Sequence, residues 1–313
     1  MNSIAMNSIA RTYRSVLPRA LREPLWHTRT AVWGSIAGPE PRARRRHRAR
    51  ILAAIGRPFA TVAINGLRLR VDLRDEGVGR PIFVDREYEP AETAFLRGSL
   101  RPGMTFIDIG ANIGYFTTLA GGLVGSGGKV ISFEPDPHNF DLLGRNTAAN
   151  GIRNAETLNF ALGEGEAEML LYQSKSNYGD HRLYGGNEDS REAVKIQVRT
   201  LDSVLESRGV GGVDLIKMDV QGFEHQVLGG MKRTLEMSER LVLLTEFWPH
   251  GIEMAGGSPG EYLKFFAGAG YSAATLNPDG STHRIEFDDV FERVPTFDPL
   301  KPDHSYLNLV LFR

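Results

Sequence analysis

The stretch that most limits what this chain can fold into is Phe106-Ile107-Asp108-Ile109-Gly110-Ala111-Asn112-Ile113-Gly114-Tyr115. It begins in a short apolar run, Met104 to Ile109, behind a Pro102-Gly103 turn. A run of that length between turn signals reads as a buried strand. Gly110 and Gly114 follow, and Tyr115 to Val124 is mostly apolar with helical spacing. Strand, glycine turn and helix form the first unit of a nucleotide-binding α/β sheet. Glycine lets the backbone bend sharply and approach a ligand closely. The amides opening the helix offer donors and a partial positive charge. About 20 residues past the turn comes a second strand, Lys129 to Phe133, ending in Glu134-Pro135. An acid at that tip suits the two hydroxyls of a ribose, because a carboxylate accepts two hydrogen bonds from a diol at once.

The dinucleotide fingerprint G-x-G-x-x-G is not met, since the turn reads Gly110-Ala111-Asn112-Ile113-Gly114. Asp108 places a negative charge where a pyrophosphate would lie, which repels phosphate and suits a cation. S-adenosylmethionine carries a sulfonium, an ammonium and a ribose, with no phosphate, so the charge pattern favours it over NAD. An NAD-linked oxidoreductase is the weaker alternative, and a non-catalytic scaffold with a relict pocket is a third.

The rest of the chain reads as strand–helix alternation around this unit. Thr61 to Leu73 alternates about Asn65-Gly66, the preferred two-residue hairpin turn. Glu89 to Leu96 reads as a helix with Pro90 in its first turn. Asp136-Pro137 caps a helix to about Asn150, ended by Gly151. Ala155 to Ala161 is a third strand. Glu166 to Tyr172 and Val194 to Arg199 form an antiparallel excursion. The polar stretch Gln173 to Ala193 between them is long enough to be a lid or binding loop. Thr200 caps a short helix, Val213 to Asp219 is a fourth strand, Gly222 to Leu235 a helix, and Leu241 to Leu244 a fifth strand ending in Thr245-Glu246. Ser258-Pro259 opens a helix, and Tyr271 to Leu276 pairs antiparallel with Tyr306 to Phe312. The expected fold is α/β, a doubly wound, mostly parallel Rossmann-like sheet with an antiparallel C-terminal strand, an N-terminal helical arm and a β-hairpin.

Composition narrows the chemistry. The chain has no cysteine, which excludes disulfides, thiolate zinc sites and cysteine nucleophiles. A cytoplasmic protein fits this, and no run reaches the ~18 apolar residues of a membrane span. Residues 1–50 hold eleven arginines, no lysine and only Glu23 and Glu40, a charge of about +9 by count. The remainder is acidic, which argues against nucleic acid as a partner of the core. Leu17, Leu21, Leu25 and Trp26 share one helical face in the arm, with Trp33 and Ile36 beyond. The arm reads as packing on the body or a partner, in a homo-oligomer for example, with peripheral membrane contact as the alternative. Three units are expected: a basic arm over 1–55, the hairpin and helix over 56–103, and the cofactor-binding domain over 104–313.

Phe106 to Tyr115, Phe133-Glu134-Pro135, Asn150-Gly151, Asn159 to Gly163 and Asp214 to Glu224 occur in one order and spacing. Together they resemble the FkbM-type methyltransferases, over roughly residues 80–275. The resemblance implies a class I methyltransferase sheet using S-adenosylmethionine. It implies O-methylation of a hydroxyl or carboxyl on a small molecule, such as the sugar of a glycolipid or glycosylated natural product, or a polyketide. By motif, Asp108, Gly110, Asn112 and Gly114 face the methionine part, Glu134 the ribose, Ala161 the adenine and Asp219 the sulfonium. Ala111, Tyr115 and Pro135 complete the cofactor set. Gln221 stands where the family often carries Glu, which puts any charged role of that position in doubt.

A hydroxyl acceptor needs a base within hydrogen-bond reach. His181, in the polar loop, is the first candidate because histidine titrates near neutrality, with Asp180 to orient it. Glu246 and Asp219, at strand ends, are alternatives. Glu224 reads as a turn cap, and Trp248 and His250 as packing or acceptor residues. Arg182 is the cationic partner a carboxylate acceptor would need. Asp219, Glu246 and Asp180 suit magnesium if they converge, but no spacing demands it, and no metal is expected.

Overall fold

The computed structural model describes residues 42–54, 56–185, 191–294 and 305–313. In chain order it begins with α1 (Arg42–Ala54), the hairpin β1 (Phe59–Ile64) and β2 (Leu67–Asp72), α2 (Gly79–Asp85) and α3 (Pro90–Ser99). The core follows as β3 (Thr105–Ile109), α4 (Tyr115–Val124), β4 (Lys129–Phe133), α5 (Pro137–Ala149) and β5 (Ala155–Leu158). Next come β6 (Ala161–Leu162), β7 (Ala167–Gln173), β8 (Glu192–Arg199), α6 (Leu201–Ser207), β9 (Leu215–Met218), α7 (Glu224–Gly229), α8 (Lys232–Met237) and β10 (Val242–Phe247). The chain closes with α9 (Pro249–Met254), α10 (Pro259–Gly268), β11 (Ser272–Leu276), β12 (Thr282–Ile285), α11 (Val290–Arg293) and β13 (Leu307–Phe312).

Eight strands form the main sheet in the order β12-β11-β13-β10-β9-β3-β4-β5. The five from β10 to β5 run parallel, and β13 runs antiparallel to both β10 and β11. Alternation along each strand feeds two cores. Ile107, Ile109, Ile131, Phe133 and Ile216 pack into one. Phe106, Val130 and Leu215 pack into the other, together with Val62, Leu69 and Val71 of the hairpin and Ala49 of α1. The hairpin is therefore part of the body's core.

The hairpin is docked by helix side chains that stand in for a strand. Asn146 Oδ1 accepts from Arg70 N (2.6 Å), and its Nδ2 donates to Arg70 O (3.1 Å). Asn150 repeats the pattern on Arg68, 2.8 Å each way. The free edge of β2 is thus satisfied rather than exposed.

Most expected elements form where the residues place them. Asp136, Thr200 and Ser258 each accept from the backbone N–H three residues on, as N-caps do. Two elements differ. The single strand expected over Ala155 to Ala161 splits, with β5 in the main sheet and β6 joining β8 and β7 in a small second sheet. The helix expected over Gly222 to Leu235 breaks at Gly229-Gly230, where a Cβ on Gly230 would sit 2.0 Å from Gly163 O. Packing of the small sheet against this break wins over helix propensity. The arm's Leu17, Leu21, Leu25, Trp26, Trp33 and Ile36 lie outside the described residues. Among the described residues no helix is long and apolar enough to cross a membrane.

Candidate active site

Two connected cavities open at the C-terminal ends of β3, β4, β9 and β10, where ligands bind in open α/β sheets. The first is a cleft with walls from Glu134, Pro135, Asn139, Ala161, His181 and Phe223. The second, a chamber of about 370 Å³, is walled by Tyr88, Glu89, Ala111, Tyr115, Lys217 and Glu246. Gly110, Asn112, Gly179, Asp219 and Gln221 border both.

The glycine turn brings these walls together. Gly110 has φ +82°, and a Cβ there would lie 1.9 Å from Asp219 O, so only glycine lets β3 and β9 end this close. Asn112 follows at φ 50°. Its backbone N donates to Glu134 Oε2 (2.7 Å), and Asp136 N donates to Glu134 Oε1 (2.8 Å). Two backbone amides thus aim the Glu134 carboxylate, leaving its remaining lone pairs for a diol. Burial pushes Glu134 up to about 8.

Asp108 is placed differently from the expectation. It sits one layer beneath the turn, 1% exposed, with Oδ2 accepting from the Thr117 hydroxyl (2.6 Å), and it is not among the residues walling either cavity. Gly114 is likewise structural, opening α4 at φ +83° with Leu143 Cδ1 2.4 Å from where a Cβ would be. The carboxylate that meets both cavities is Asp219. Its Oδ1 accepts from Gln221 Nε2 (2.8 Å) and its Oδ2 from Lys217 Nζ (3.2 Å). A glutamate at position 221 would face Asp219 with like charge, whereas the amide donates to it. Tyr115 borders the chamber with its hydroxyl fixed by Asn65 Nδ2 (2.6 Å) and paired with the Thr93 hydroxyl (3.0 Å).

The described part of the polar loop after β7, up to residue 185, covers the cleft as a lid, with Tyr178, Gly179, His181 and Leu183 lining it. Tyr178 O accepts from the side-chain amides of Asn112 (3.1 Å) and Asn139 (2.9 Å). Tyr178 N donates to Asp75 Oδ1 (3.0 Å), and the same buried Asp75 carboxylate accepts from the amides of Gly77, Val78 and Gly79. One carboxylate therefore caps α2 and anchors the lid.

His181 is on the cleft side of this lid rather than in the chamber. Its Nδ1 accepts from Ser174 N (3.0 Å), and its Nε2 lies 3.8 Å from Asp136 Oδ2. Burial lowers its pKa. Asp180 does not orient it, because its two oxygens are engaged by Arg182 Nε (2.5 Å) and Arg191 Nη2 (2.8 Å). Asp180 as the orienter of His181 is therefore corrected: arginines take both of its oxygens. Arg182 also stacks over Trp248, 4.9 Å from the ring centroid, and Trp248 is buried at 3% exposure. Glu224 holds the turn after β9, its Oε1 accepting from Val220 N (3.1 Å). Glu246 does line the chamber, and burial beside Asp219 raises its pKa well above the ordinary range.

Glu89, Tyr88 and Lys217 are among the chamber residues that the sequence reading did not assign to the site. Lys217 Nζ lies 3.6 Å from Glu89 Oε2 and over the Phe116 ring at 4.7 Å. Burial works against its charge, but Glu89, Asp219, Asp108 and Glu92 outweigh that and hold it protonated. Lys217 sits inside the strand motif with a side chain on the chamber face, a signal that alternation from Leu215 offered. Among the described residues no group of three His, Cys, Asp or Glu is arranged to hold a metal.

The site fits S-adenosylmethionine on its own chemistry. The buried Asn139 Oδ1 in the cleft wall has no hydrogen-bond partner in the protein, so it has an acceptor to offer a nucleoside. Glu134 offers two acceptor faces to a diol. Asp219 offers negative charge between cleft and chamber, where a phosphate would be repelled.

Known proteins are similar to this chain over part of its length. Methyltransferase sdnD of Sordaria araneosa is 27% identical over 202 residues, covering 55% of this chain and 75% of that protein. The 31-O-demethyl-FK506 methyltransferase FkbM of Streptomyces tacrolimicus is 30% identical over 182 residues, covering 49% and 67%. Among solved structures, the M. jannaschii TYW2 complex with AdoMet aligns at TM-score 0.41 and 13% identity over 82% of this chain and 84% of that one. Residues 108–273 match the family described as the methyltransferase FkbM domain. The chain belongs to that family, and it is a methyltransferase whose cofactor is S-adenosylmethionine.

Proposed function

We propose that the protein methylates a hydroxyl oxygen of a small, hydroxyl-rich acceptor, such as a sugar of a glycolipid or glycosylated natural product. The observation that carries this reading is the chamber's lining. Glu89, Asp219 and Glu246 bring carboxyl groups to it, and Lys217, its one cation among the described residues, pairs with Glu89 and Asp219. Carboxylates and amides accept from hydroxyls. A carboxylate acceptor would meet repulsion here, and Arg182, its expected partner, is paired with Asp180 and stacked on Trp248.

In this reading Glu134 holds the ribose hydroxyls, Pro135 and Ala161 flank the adenine, and Gly110, Ala111 and Asn112 line the path of the methionine part. Asp219 stabilises positive charge at the cleft–chamber border. Bound S-adenosylmethionine supplies a methyl group already activated on sulfur. The chain's own contribution is to align the acceptor, exclude water under the lid and take up the hydroxyl proton. The acidic body also supports the reading that nucleic acid is no partner.

The test is transfer of label from [methyl-³H]S-adenosylmethionine to methyl glycosides of neutral and 6-deoxy hexoses, and to a small-molecule extract of the cells that make the protein. A new O-methyl resonance in the labelled product supports the reading. An N-methyl product, or methyl ester only, refutes it.

A further inference from the structure

Glu89 stands where three cavities meet. It lines the chamber, an inner recess shared with Glu92, Asn308 and Tyr306, and an outer recess bounded by Arg42, Arg45, Asp85 and Glu87. Its backbone is left-handed, φ 38° and ψ 68°. A residue with a Cβ adopts that region only where its surroundings hold it there, and such residues cluster at functional sites. Five non-glycine residues among those described have positive φ, and Glu89, Asn112 and Gln221 all border the chamber. Glu89 is also the N-cap of α3, yet its side chain makes no capping hydrogen bond. Asp, Asn or Ser would cap better, so helix capping does not account for a glutamate here.

Of the other carboxyl groups around the chamber and its inner recess, Glu87 is exposed at the rim, and Asp219 and Glu92 are already hydrogen-bonded. Both oxygens of Asp219 accept, from Gln221 and Lys217. Glu92 accepts from Asn308 Nδ2. Glu246 is buried beside Asp219, and both push its carboxyl well above the ordinary carboxylate range. Glu89 Oε2 lies 3.6 Å from Lys217 Nζ, and Tyr88 lines the chamber beside it.

We propose that Glu89 is the general base of the transfer, positioned over the chamber by the left-handed turn that opens α3. This rests on the hydroxyl-acceptor reading above. The acceptor oxygen bonds to the methyl carbon while the carbon–sulfur bond breaks and sulfur keeps the electron pair. The hydroxyl proton passes to the Glu89 carboxylate and leaves to solvent through the outer recess. Burial sets Glu89 at about 7, with Lys217 drawing it down and Asp219 and Glu92 pushing it up, a value suited to a base near neutrality.

Glu89→Gln is compared with the wild-type enzyme in the tritium-transfer assay. The expected loss is at least about 100-fold in turnover, with affinity for S-adenosylhomocysteine, read by calorimetry, within about twofold. The wild type should lose turnover below a midpoint near 7, and Glu89→Asp should retain that limb at reduced rate. A readout independent of turnover is the ¹³C-carboxyl NMR titration of glutamate-labelled protein with S-adenosylhomocysteine bound. The resonance that Glu89→Gln or Glu89→Asp removes should titrate near 7. A wild type that methylates hydroxyls while Glu89→Gln retains more than about a tenth of that turnover would overturn the role of Glu89 and leave the hydroxyl reading standing. A Glu89 resonance titrating near the ordinary carboxylate value also overturns it. A wild type that transfers no label to any hydroxyl overturns both.

Discussion

Cofactor binding should depend on pH through Glu134. The ribose hydroxyls need the ionised carboxylate, and burial beside Asp136 sets the free group at about 8. Below that value the site must release a proton to bind. About one Glu134 in a hundred is ionised at pH 6 and about half at pH 8, so affinity for S-adenosylhomocysteine should rise about 50-fold over that range, about 2.3 kcal/mol. The gain should level off above pH 8. The sign follows from a raised acid: the free protein holds the extra proton, and binding expels it. Isothermal titration calorimetry at pH 6.5 in two buffers of different ionisation enthalpy counts the protons, and about one should leave per cofactor bound. Glu134→Gln should bind more weakly at pH 8 and lose most of the pH dependence. Affinity constant from pH 6 to 8, with no proton exchanged, would refute the assignment of Glu134 to the ribose.

Three further perturbations probe the walls of the site. Gly110→Ala places a Cβ against Asp219 O in a left-handed conformation; it should destabilise the fold by about 2–4 kcal/mol in denaturant melts and abolish measurable cofactor binding. Asp75→Ala orphans four backbone amides. It should lower stability by about 2–4 kcal/mol and, by freeing the lid, speed S-adenosylhomocysteine release in stopped-flow measurements. His181→Ala removes a cleft wall; with Glu89 as the proposed base, it should weaken cofactor affinity about tenfold while saturating turnover stays within about threefold. A loss confined to turnover would restore His181 to the chemistry.

The parts of this site that were legible in the sequence are those set by local backbone geometry. Gly110, the acid-tipped strand at Glu134 and the caps at Asp136, Thr200 and Ser258 depend on near neighbours in the chain, and each forms as its residues dictate. Side-chain direction across elements was not legible. Asp108 lies at the expected strand end, but its carboxylate turns under the helix to Thr117, and Asp219, 111 positions later, presents the charge. His181 and Asp180 are adjacent in the loop, but Arg182 and Arg191 claim both Asp180 oxygens. Glu89 read as the start of a helix because Pro90 follows it. Its second role depends on Lys217, more than a hundred residues away, and on a backbone angle that composition does not reveal.

The most direct test of the account is a crystal structure of the protein with S-adenosylhomocysteine. The ribose hydroxyls should lie within hydrogen-bond distance of Glu134, the adenine between Pro135 and Ala161, and the sulfur beside Asp219, facing the chamber that holds Glu89. A sulfur turned away from that chamber, or a nucleoside bound anywhere but against Glu134, would contradict it.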